Sequence, residues 1–334
     1  MGNPLRFFPR TVAALCATIL LALTACTKRP SEQTPTVDLQ AGVKTPFRFV
    51  TYGDTRFHDP KDTEPANPAI RVALVQAIAQ SHPDFICFTG DIVYNGYDAN
   101  DWAVWDSETS IWREQKIPVY PSLGNHDLHG DPRIALANYF QRFQDLKDSR
   151  YYSVRAANTL ILVLDSAQEE ISRPQGIWLA DKLDHIPKDV NFVFLMFHHP
   201  PYTSSSDDKK FGGGHSARAK EQKLAKMLEA RQAHAPFRMI VFNGHVHNYE
   251  RHEHGGITYF VTGGGGAHAY PIERTADDLF KSKDINYHYL VVEVRKSQVA
   301  VTMYRLELSS GKPVWSQPDS VVIEAEVRSS KATS

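Results

Sequence analysis

Five apolar segments of this 334-residue chain are each followed directly by side chains that can bind a metal ion. The clearest is Phe85–Phe88, an uncharged run that ends at Thr89-Gly90-Asp91 and is typical of a buried strand followed by a turn. Tyr94 follows three residues later, close enough to share a site with Asp91. A carboxylate and a phenol can together bind a hard trivalent cation. Because open α/β sheets bind ligands at the carboxyl ends of their strands, we expect Asp91 to lie at such an edge.

The other four segments repeat this arrangement. They end in Asp54, in Asn125 with His126, in His198, and in His245 with His247. Each side chain alone has an ordinary structural explanation, such as a turn cap or a packed imidazole. Since all of them follow an apolar strand, however, one fold could bring them to one edge.

The donor types indicate which metals could bind there. Oxygen and imidazole donors suffice for two cations with roughly four ligands each, if Asp91 is shared. The absence of a thiolate argues against a structural zinc site or an iron–sulfur cluster. Two ions about 3.5–4 Å apart can hold the attacking and leaving oxygens of an in-line displacement at phosphorus.

The segments around Asp91 predict how it is positioned. Phe47–Tyr52 alternates as a strand does and ends at Gly53-Asp54, and residues 69–80 carry apolar side chains at helical spacing. Phe85–Phe88 follows. Strand, helix and strand within fifty residues predict a βαβ unit, whose parallel strands would place both acidic turns at the same edge.

Similar patterns continue along the chain to Val327. They predict core-facing helical turns around Trp102, Trp105 and Trp112, and a helix over residues 134–143. Another helix should begin at Pro174 and carry a stripe of Ile177, Ala180 and Leu183. A further helix should begin at a Ser216 cap and end near Arg231. They predict strands over residues 118–122, 151–155, 159–165, 191–197, 239–242, 259–262, 289–294, 299–306 and 321–327. Residues 203–214 are polar and glycine-rich, which favours a long loop that covers a site.

Overall composition is that of a globular protein. The chain is 42% hydrophobic and 22% charged, with a formal net charge of -1. No basic excess is present, so no nucleic-acid-binding surface is evident.

The first residues are typical of an export signal. Arg6 and Arg10 precede an apolar stretch, residues 11–25, that is too short for a comfortable membrane span. Leu23-Thr24-Ala25-Cys26 resembles the bacterial lipoprotein box, in which the cysteine is acylated. An ordinary signal peptide with a small-residue cleavage site is the alternative.

The lipoprotein interpretation divides the chain into four parts. They are a signal peptide over residues 1–25, a flexible tether over 26–46, the domain over 47–327 and a tail over 328–334. We therefore expect an exported lipoprotein, anchored by Cys26 on the periplasmic side. The residue after Cys26 is Thr27 and not Asp, which by resemblance to lipoprotein sorting favours the outer membrane if the cell has one. Cys87 should be a buried apolar residue, so no intramolecular disulfide is expected.

The five strand ends also resemble a known family. Gly53-Asp54, Gly90-Asp91-Ile92-Val93-Tyr94, Gly124-Asn125-His126-Asp127, the His198 strand end and Gly244-His245-Val246-His247 are similar, in order, to the metal motifs of the calcineurin-like metallophosphoesterases. Tyr94 and the run from His247 to Arg251 resemble the purple acid phosphatase branch. The resemblance implies an α/β fold: a four-layer β-sandwich flanked by helices.

The resemblance also implies roles for individual residues. Asp54, Asp91, Tyr94 and His247 would hold a ferric ion, and Asp91, Asn125, His198 and His245 would hold ferrous iron, zinc or manganese. The ferric ion would lower the pKa of bound water, and the resulting hydroxide would attack phosphorus. The catalytic residues would be His126, as a proton donor to the leaving group, and His215. Asn125 would contact the substrate. Apart from the resemblance, Arg56 could bind an equatorial phosphate oxygen, and pairing with a surface carboxylate is its alternative.

Two positions depart from the family pattern. Arg56 stands where many members carry a ligand histidine, which fits a site in which Tyr94 replaces the imidazole. Asp207 and Asp208 stand where purple acid phosphatases usually have a histidine pair, and His215 is the candidate replacement. His199 is expected to support the site or the strand end rather than to bind metal.

The function expected from these features is phosphomonoester hydrolysis at a dinuclear metal centre, with a phosphorylated small molecule as substrate. A phosphodiesterase or nucleotide hydrolase on the same metals is the nearest alternative. A surface lipoprotein that binds metal without turnover is an alternative from another class.

Overall fold

The computed structural model describes residues 36–167, 174–206 and 215–326. Within these ranges the strands are β1 (Val37–Gln40), β2 (Phe47–Tyr52), β3 (Phe85–Phe88), β4 (Val119–Pro121), β5 (Tyr152–Ala156), β6 (Thr159–Val163), β7 (Phe192–Met196), β8 (Arg238–Asn243), β9 (Tyr249–His254), β10 (Ile257–Thr262), β11 (Tyr287–Val294), β12 (Gln298–Ser309), β13 (Lys312–Ser316) and β14 (Ser320–Glu324). The helices are α1 (Pro68–Gln80), α2 (Ala99–Glu108), α3 (Ser110–Glu114), α4 (Pro132–Arg142), α5 (Gln175–Asp184) and α6 (Ala219–Gln232). Short 3₁₀ turns occupy His126–Leu128 and Gln144–Leu146.

The described strands form two mixed seven-stranded sheets. The first sheet has the order β1-β5-β6-β7-β8-β10-β9, and the second has the order β13-β12-β11-β2-β3-β4, with β14 paired to β12. The predicted hairpin of β5 and β6 is confirmed as an antiparallel pair. The parallel strands β7 and β8 occupy the middle of the first sheet, and β2 and β3 lie in the second.

The two sheets pack face to face through aromatic side chains. The ring of Phe49 on β2 lies 5.2 Å from that of Phe194 on β7 and 6.3 Å from that of Phe242 on β8, both edge-on. All three rings are buried. Edge-to-face packing of this kind favours aromatic pairs beyond the area that they bury. A shared core between the sheets is the central feature of a β-sandwich.

Helices cover the outer faces of both sheets. On the first sheet, Leu179 of α5 and Leu228 of α6 join the cluster that contains Val193 and Val241. These valines point away from the inter-sheet core because successive strand residues face opposite sides. The predicted fold class, a four-layer α/β sandwich, is therefore confirmed.

The tryptophans of α2 and α3 cover the second sheet. Trp105 lies 5.7 Å from Phe88, and Trp112 lies 6.2 Å from Tyr52, measured between ring centroids. Trp102 is also buried. Their interpretation as core residues is confirmed, although two short helices carry them.

The βαβ unit has the predicted form. Asn67 caps α1 by accepting hydrogen bonds from the backbone N–H groups of Ala69 and Ile70, and Pro68 begins the helix. Strands β2 and β3 pair in parallel, with Val50 opposite Ile86. Their carboxyl ends therefore meet at one edge, as expected.

The tether prediction is wrong at its carboxyl end. Val37–Gln40 forms a strand that pairs in parallel with β5, so the folded domain begins before Phe47. Val37 is buried, and the Asp38 carboxylate accepts hydrogen bonds from Ser153 and Lys182. These contacts hold the segment to the sheet edge.

Three smaller details also differ from the sequence prediction. The last helix begins at Ala219 with Arg218, not Ser216, as the N-cap residue. In α5, Ile177 is exposed, and Trp178 with Leu179 faces the core instead. Strand β9 was not predicted, because its six residues Tyr-Glu-Arg-His-Glu-His are mostly polar.

Several predicted segments lie outside the described residues. They are the signal peptide, residues 26–35 of the tether including Cys26, residues 207–214 of the predicted loop and the tail. Among the described helices, none has both the length and the apolar character needed to cross a membrane.

Candidate metal centre

The residues expected to bind metal come from both sheets. Asp54 and Asp91 follow β2 and β3 of the second sheet, whereas His198 and His245 follow β7 and β8 of the first. Asn125 follows β4. The face-to-face packing of the sheets brings these strand ends together.

One group of ligand atoms is formed by Asp54, Asp91 and His247. A carboxylate oxygen of each aspartate and a ring nitrogen of His247 all lie within 4.8 Å of one another. The Nδ1–H of His247 donates a hydrogen bond to the backbone carbonyl of His268, at 2.9 Å. His247 Nε2 is therefore left facing the carboxylates, 3.8 Å from Asp54 Oδ1.

A second group surrounds His198. Its Nδ1–H donates to the carbonyl of Thr89 at 2.9 Å, which leaves Nε2 unprotonated and facing the site. Around this atom lie Asn125 Oδ1 at 3.1 Å, His245 Nδ1 at 3.2 Å and Asp91 Oδ1 at 3.4 Å. Asp91 thus adjoins both groups.

His199 belongs to this second group as well. Its ring nitrogen lies within 4.8 Å of those of His198 and His245, and its Nδ1 lies 3.0 Å from Ser166 Oγ. Sequence reasoning placed His199 outside the ligand set. Neighbouring residues within a strand face opposite sides of the sheet. His198 and His199 lie beyond the end of β7 at Met196, so both side chains can face the same site.

Three of the expected ligands adopt a left-handed backbone conformation. Their φ angles are 58° for Asp54, 53° for Asp91 and 70° for His245. Such conformations cost about 1–3 kcal/mol at non-glycine residues and persist only where surrounding contacts impose them. Here the backbone N–H of His245 donates to both carboxylate oxygens of Asp54.

Gly124 permits the close approach of two motif loops. A Cβ atom at this position would lie 2.2 Å from both the backbone nitrogen and Oδ1 of Asp91. The buried Asp127 carboxylate joins the same loops by accepting hydrogen bonds from the N–H groups of Ile92, Val93 and Gly124. Burial, followed by the nearby Asp91 charge, raises the pKa of Asp127 to about 8.

The electrostatic environment differs between the two aspartates. Burial acts to raise the pKa of Asp91, but His198, His126 and Arg56 together hold it well below its usual range. Burial and the adjacent Asp91 carboxylate raise the pKa of Asp54. Two buried carboxylates in contact therefore require nearby positive charge.

The histidines of the centre are kept neutral by burial. Desolvation is the largest influence on His198, His245 and His247, and the pKa of each is lowered. A neutral imidazole is the form that binds a metal ion. These three imidazoles therefore have the protonation state that metal binding needs.

Among the expected metal ligands, two buried polar atoms lack a hydrogen-bond partner within the described part of the chain. They are Asp91 Oδ2 and His247 Nε2. Buried acceptors are normally satisfied, so these atoms favour a ligand between them. Together with the oxygen and imidazole donors of both groups, they fit two metal ions.

His126 faces the centre without belonging to either group of ligand atoms. Its Nδ1–H donates to the Tyr94 carbonyl at 2.8 Å, which directs Nε2 toward Asp91 Oδ2, 4.0 Å away. Burial lowers the pKa of His126 to about 4, although the Asp91 charge acts in the opposite direction.

Arg56 also contacts the centre. Its Nη2 lies 3.5 Å from Asp91 Oδ2. The sequence left open that Arg56 pairs with a surface carboxylate. The carboxylate beside it is instead that of Asp91, which is fully buried. The guanidinium is available beside the expected ligands.

Tyr94 and His215 border the centre on different sides. The Tyr94 ring stacks on that of His126, with ring centroids 5.3 Å apart. The His215 ring lies 4.8 Å from that of His245 and 5.4 Å from that of His247. All the residues singled out from the sequence motifs thus meet around one site, while Cys26 lies outside the described part of the chain.

The sequence range that contains these residues matches a family model. Residues 47–249 match the model of the calcineurin-like phosphoesterases. The chain belongs to the calcineurin-like phosphoesterase family. The matched range contains all the motif residues that form the centre.

Two curated proteins resemble this calcineurin-like phosphoesterase at low identity. The phosphoenolpyruvate phosphatase of Allium cepa is 26% identical over 60% of this chain and 42% of its own length. Purple acid phosphatase 1 of Ipomoea batatas is 26% identical over 50% of this chain and 37% of its own length. The chain therefore spans less than half the length of either relative.

Solved structures share the fold of this calcineurin-like phosphoesterase. The purple acid phosphatase PPD1 from yellow lupin seeds aligns with a TM-score of 0.63 and 16% identity, over 85% of this chain and 54% of the lupin protein. GAP50 of Plasmodium, described as the anchor in the inner membrane complex, aligns with a TM-score of 0.57 and 16% identity, over 85% of this chain and 90% of GAP50.

Proposed function

We propose that this chain hydrolyses phosphate monoesters at a dinuclear metal centre, in the manner of a purple acid phosphatase. The observation that carries the proposal is the position of Asp91, whose carboxylate adjoins both groups of ligand atoms. A carboxylate in that position can bridge two ions. Two adjacent ions can stabilise both the attacking and the leaving oxygen during phosphoryl transfer to water.

The chain's own residues divide into two ligand sets. Asp54, Asp91, Tyr94 and His247 would hold a ferric ion. Asp91, Asn125, His198 and His245 would hold ferrous iron, zinc or manganese, and His199 is positioned to join them. When bound, the two ions would supply Lewis acidity and activate water for attack on phosphorus.

Other residues would orient the substrate and move a proton. Arg56 lies beside Asp91 and can donate hydrogen bonds to a phosphate oxygen, a role in which the planar guanidinium is effective. The Nδ1–H of His126 donates to the Tyr94 carbonyl, so Nε2 faces the site and, when the ring is protonated, would give its proton to the leaving group. His215, whose ring lies next to those of His245 and His247, would contact the substrate there.

The curated relatives support the branch as well as the reaction. Both are named as phosphatases, and one is named as a purple acid phosphatase. Tyr94 gives independent support, since it follows Asp91 by three residues and its ring borders the centre at His126. Monoester preference is therefore proposed ahead of diester preference.

The proposal can be tested with purified protein of measured metal content. We expect hydrolysis of p-nitrophenyl phosphate that disappears on chelation and returns with iron and zinc. The same protein should act on bis(p-nitrophenyl) phosphate with a lower kcat/KM. A higher value for the diester would support the phosphodiesterase alternative on the same metals.

A non-catalytic role is the second candidate. The observation that favours it is the fold that the chain shares with GAP50, which is described as the anchor in the inner membrane complex of Plasmodium. Under this alternative the metal-loaded protein would bind two ions per chain and turn over no phosphoester. The complete set of ligands together with His126 supports the enzyme instead.

We further propose that the protein is an exported lipoprotein acylated at Cys26, facing the periplasm from the outer membrane. The run Leu23-Thr24-Ala25-Cys26 supports this, because it resembles the lipoprotein box. Cys26→Ser should release the protein from membranes or leave it unprocessed. Unchanged fractionation and mass would instead support an ordinary signal peptide.

A further inference from the structure

We propose that strand β9 carries an additional divalent-metal site, formed by His252, His254 and Asp277 and suited to zinc. These residues share no ligand with the centre described above. One atom of each lies within 4.8 Å of the others. The inference rests on the geometry of this cluster and does not depend on the proposed hydrolysis.

The strand places the two histidines on one face. Residues at alternate positions of a strand point to the same side, so His252 and His254 are neighbours there. Asp277 Oδ2 lies 3.3 Å from His252 Nδ1 and 3.2 Å from His254 Nε2. Tetrahedral zinc at ~2.0–2.1 Å from its ligands separates them by about 3.3 Å, so little movement would be needed.

A buried carboxylate orients the inner histidine. Glu250 Oε2 lies 3.0 Å from His252 Nε2, and both side chains are fully buried. Thr203 Oγ1 in turn donates to Glu250 at 2.6 Å. A metal-binding histidine commonly donates its other ring N–H to a carboxylate, which fixes the tautomer and strengthens the ligand. His252 is held in that arrangement, with Nδ1 directed at Asp277.

The outer two ligands keep the cluster open to solvent. The side chains of His254 and Asp277 are 25% and 48% exposed. A metal ion can therefore reach the three donors, and water can complete a four-coordinate shell. The His254 ring is steadied by stacking on Tyr202, with centroids 3.8 Å apart.

Asp278 is not part of the proposed site, although it adjoins Glu250 and His252. Its Oδ2 already accepts hydrogen bonds from Arg274 Nη1 at 2.9 Å and from Ser204 Oγ at 3.0 Å. These contacts satisfy the carboxylate without a metal. The outward-facing cluster with Asp277 is therefore the candidate.

The competing state of the cluster is a protonated His252 between two carboxylates. Burial opposes that charge, but Glu250, Asp278 and Asp277 outweigh it and raise the pKa of His252. A bound metal would replace the proton at Nδ1. The two states can be separated by direct measurement of metal content.

An occupied site would stabilise β9, the strand that follows the expected metal ligand His247 in the chain. Strand β9 begins two residues after His247, and Asp277 belongs to the segment that also supplies Arg274. Arg274 Nη1 donates to the Tyr249 carbonyl at 2.7 Å, and its Nη2 donates to Asn248 Oδ1 at 3.2 Å. A metal joining His252 and His254 to Asp277 would fasten this segment to the sheet edge.

The test measures zinc bound by the intact protein after its centre has been loaded. We expect wild-type protein to bind one additional zinc ion per chain compared with His254→Ala and Asp277→Asn, all three retaining the same turnover. Both substitutions affect partly exposed side chains, so folding should be preserved. Glu250→Gln should keep the ligands but weaken zinc binding about 10–100-fold.

The matched control is His185→Ala. His185 Nδ1 lies 3.1 Å from Asp181 Oδ1, and this exposed histidine–aspartate pair belongs to no group of three potential metal ligands among the described residues. Its zinc content should equal that of the wild type. Equal zinc content in wild type, His254→Ala and Asp277→Asn would overturn the proposal and leave the cluster as an ion-pair network. In crystals soaked with zinc, anomalous density should lie between the three ligand atoms.

Discussion

His198 Nε2 lies 3.4 Å from Asp91 Oδ1, although the two residues follow strands of different sheets. Both side chains are fully buried. This contact joins the two halves of the sandwich at the metal centre, so the ligands of each ion depend on how the sheets pack. Changes at Asp91 should therefore affect both ions together.

Asp91→Asn should lower the content of both metals and reduce turnover at least about a hundredfold. The amide has no charge to compensate two cations, and one of its two donor oxygens is lost. Metal analysis with a phosphatase assay measures both effects. Asp189→Asn, at an exposed carboxylate paired with Arg155, should change neither. Retention of two metals and near-normal turnover in Asp91→Asn would show that Asp91 does not bridge.

His126→Ala should retain both metals yet lose about a hundredfold or more in turnover, the usual scale for a proton donor. The loss should be smaller for p-nitrophenyl phosphate than for an alkyl phosphate, because p-nitrophenolate leaves more easily without a proton. Comparison of kcat on the two substrates measures this difference. Loss of a metal ion in this variant would contradict the role, and His185→Ala should behave as the wild type.

Tyr94→Phe should bleach the iron-loaded protein. A phenolate on ferric iron gives a strong charge-transfer band in the visible, so we expect the oxidised wild type to be violet or pink. The variant should lose this band while some iron remains, as measured by absorption and metal analysis. A colourless, active wild type with two divalent ions would keep the phosphoesterase and exclude the purple acid phosphatase branch.

His288 should make the fold sensitive to acid. Burial lowers its pKa to about 4, against an ordinary value of about 6.5, so the folded protein resists a proton that the unfolded chain accepts. Stability is fully present above pH 6.5 and falls as the pH drops toward 4, by up to about 3 kcal/mol from this group.

His288→Gln tests this contribution. Between pH 6.5 and 4, the free energy of unfolding should depend less steeply on pH in the variant, even if the variant is less stable at neutral pH. Denaturant titrations across this range measure the slope. The exposed His185→Gln should leave the slope unchanged, and an equal slope in His288→Gln would show that His288 does not carry this dependence.

The sequence by itself determined the local features of this protein. Apolar strands that end in glycine and an acidic or imidazole residue are local patterns, and so is the strand–helix–strand unit around Asn67. These local patterns therefore predicted that Asp54, Asp91 and His247 lie just after strands. They also predicted the parallel pairing of β2 with β3, since short crossovers have few alternatives.

Only the tertiary structure decided which side chains touch across the sheets. His198 and the Thr89 carbonyl that orients it are 109 residues apart, and nothing local specifies their contact. The same is true of Arg56 at Asp91, of His199 among the ligands, and of β1 at the sheet edge. The alternation of His252 and His254 was visible in the sequence, but Asp277 meets them only because a distant segment packs on β9. Contacts of this kind arise from the packing of whole sheets and segments, which buries apolar surface and is not encoded at any one position.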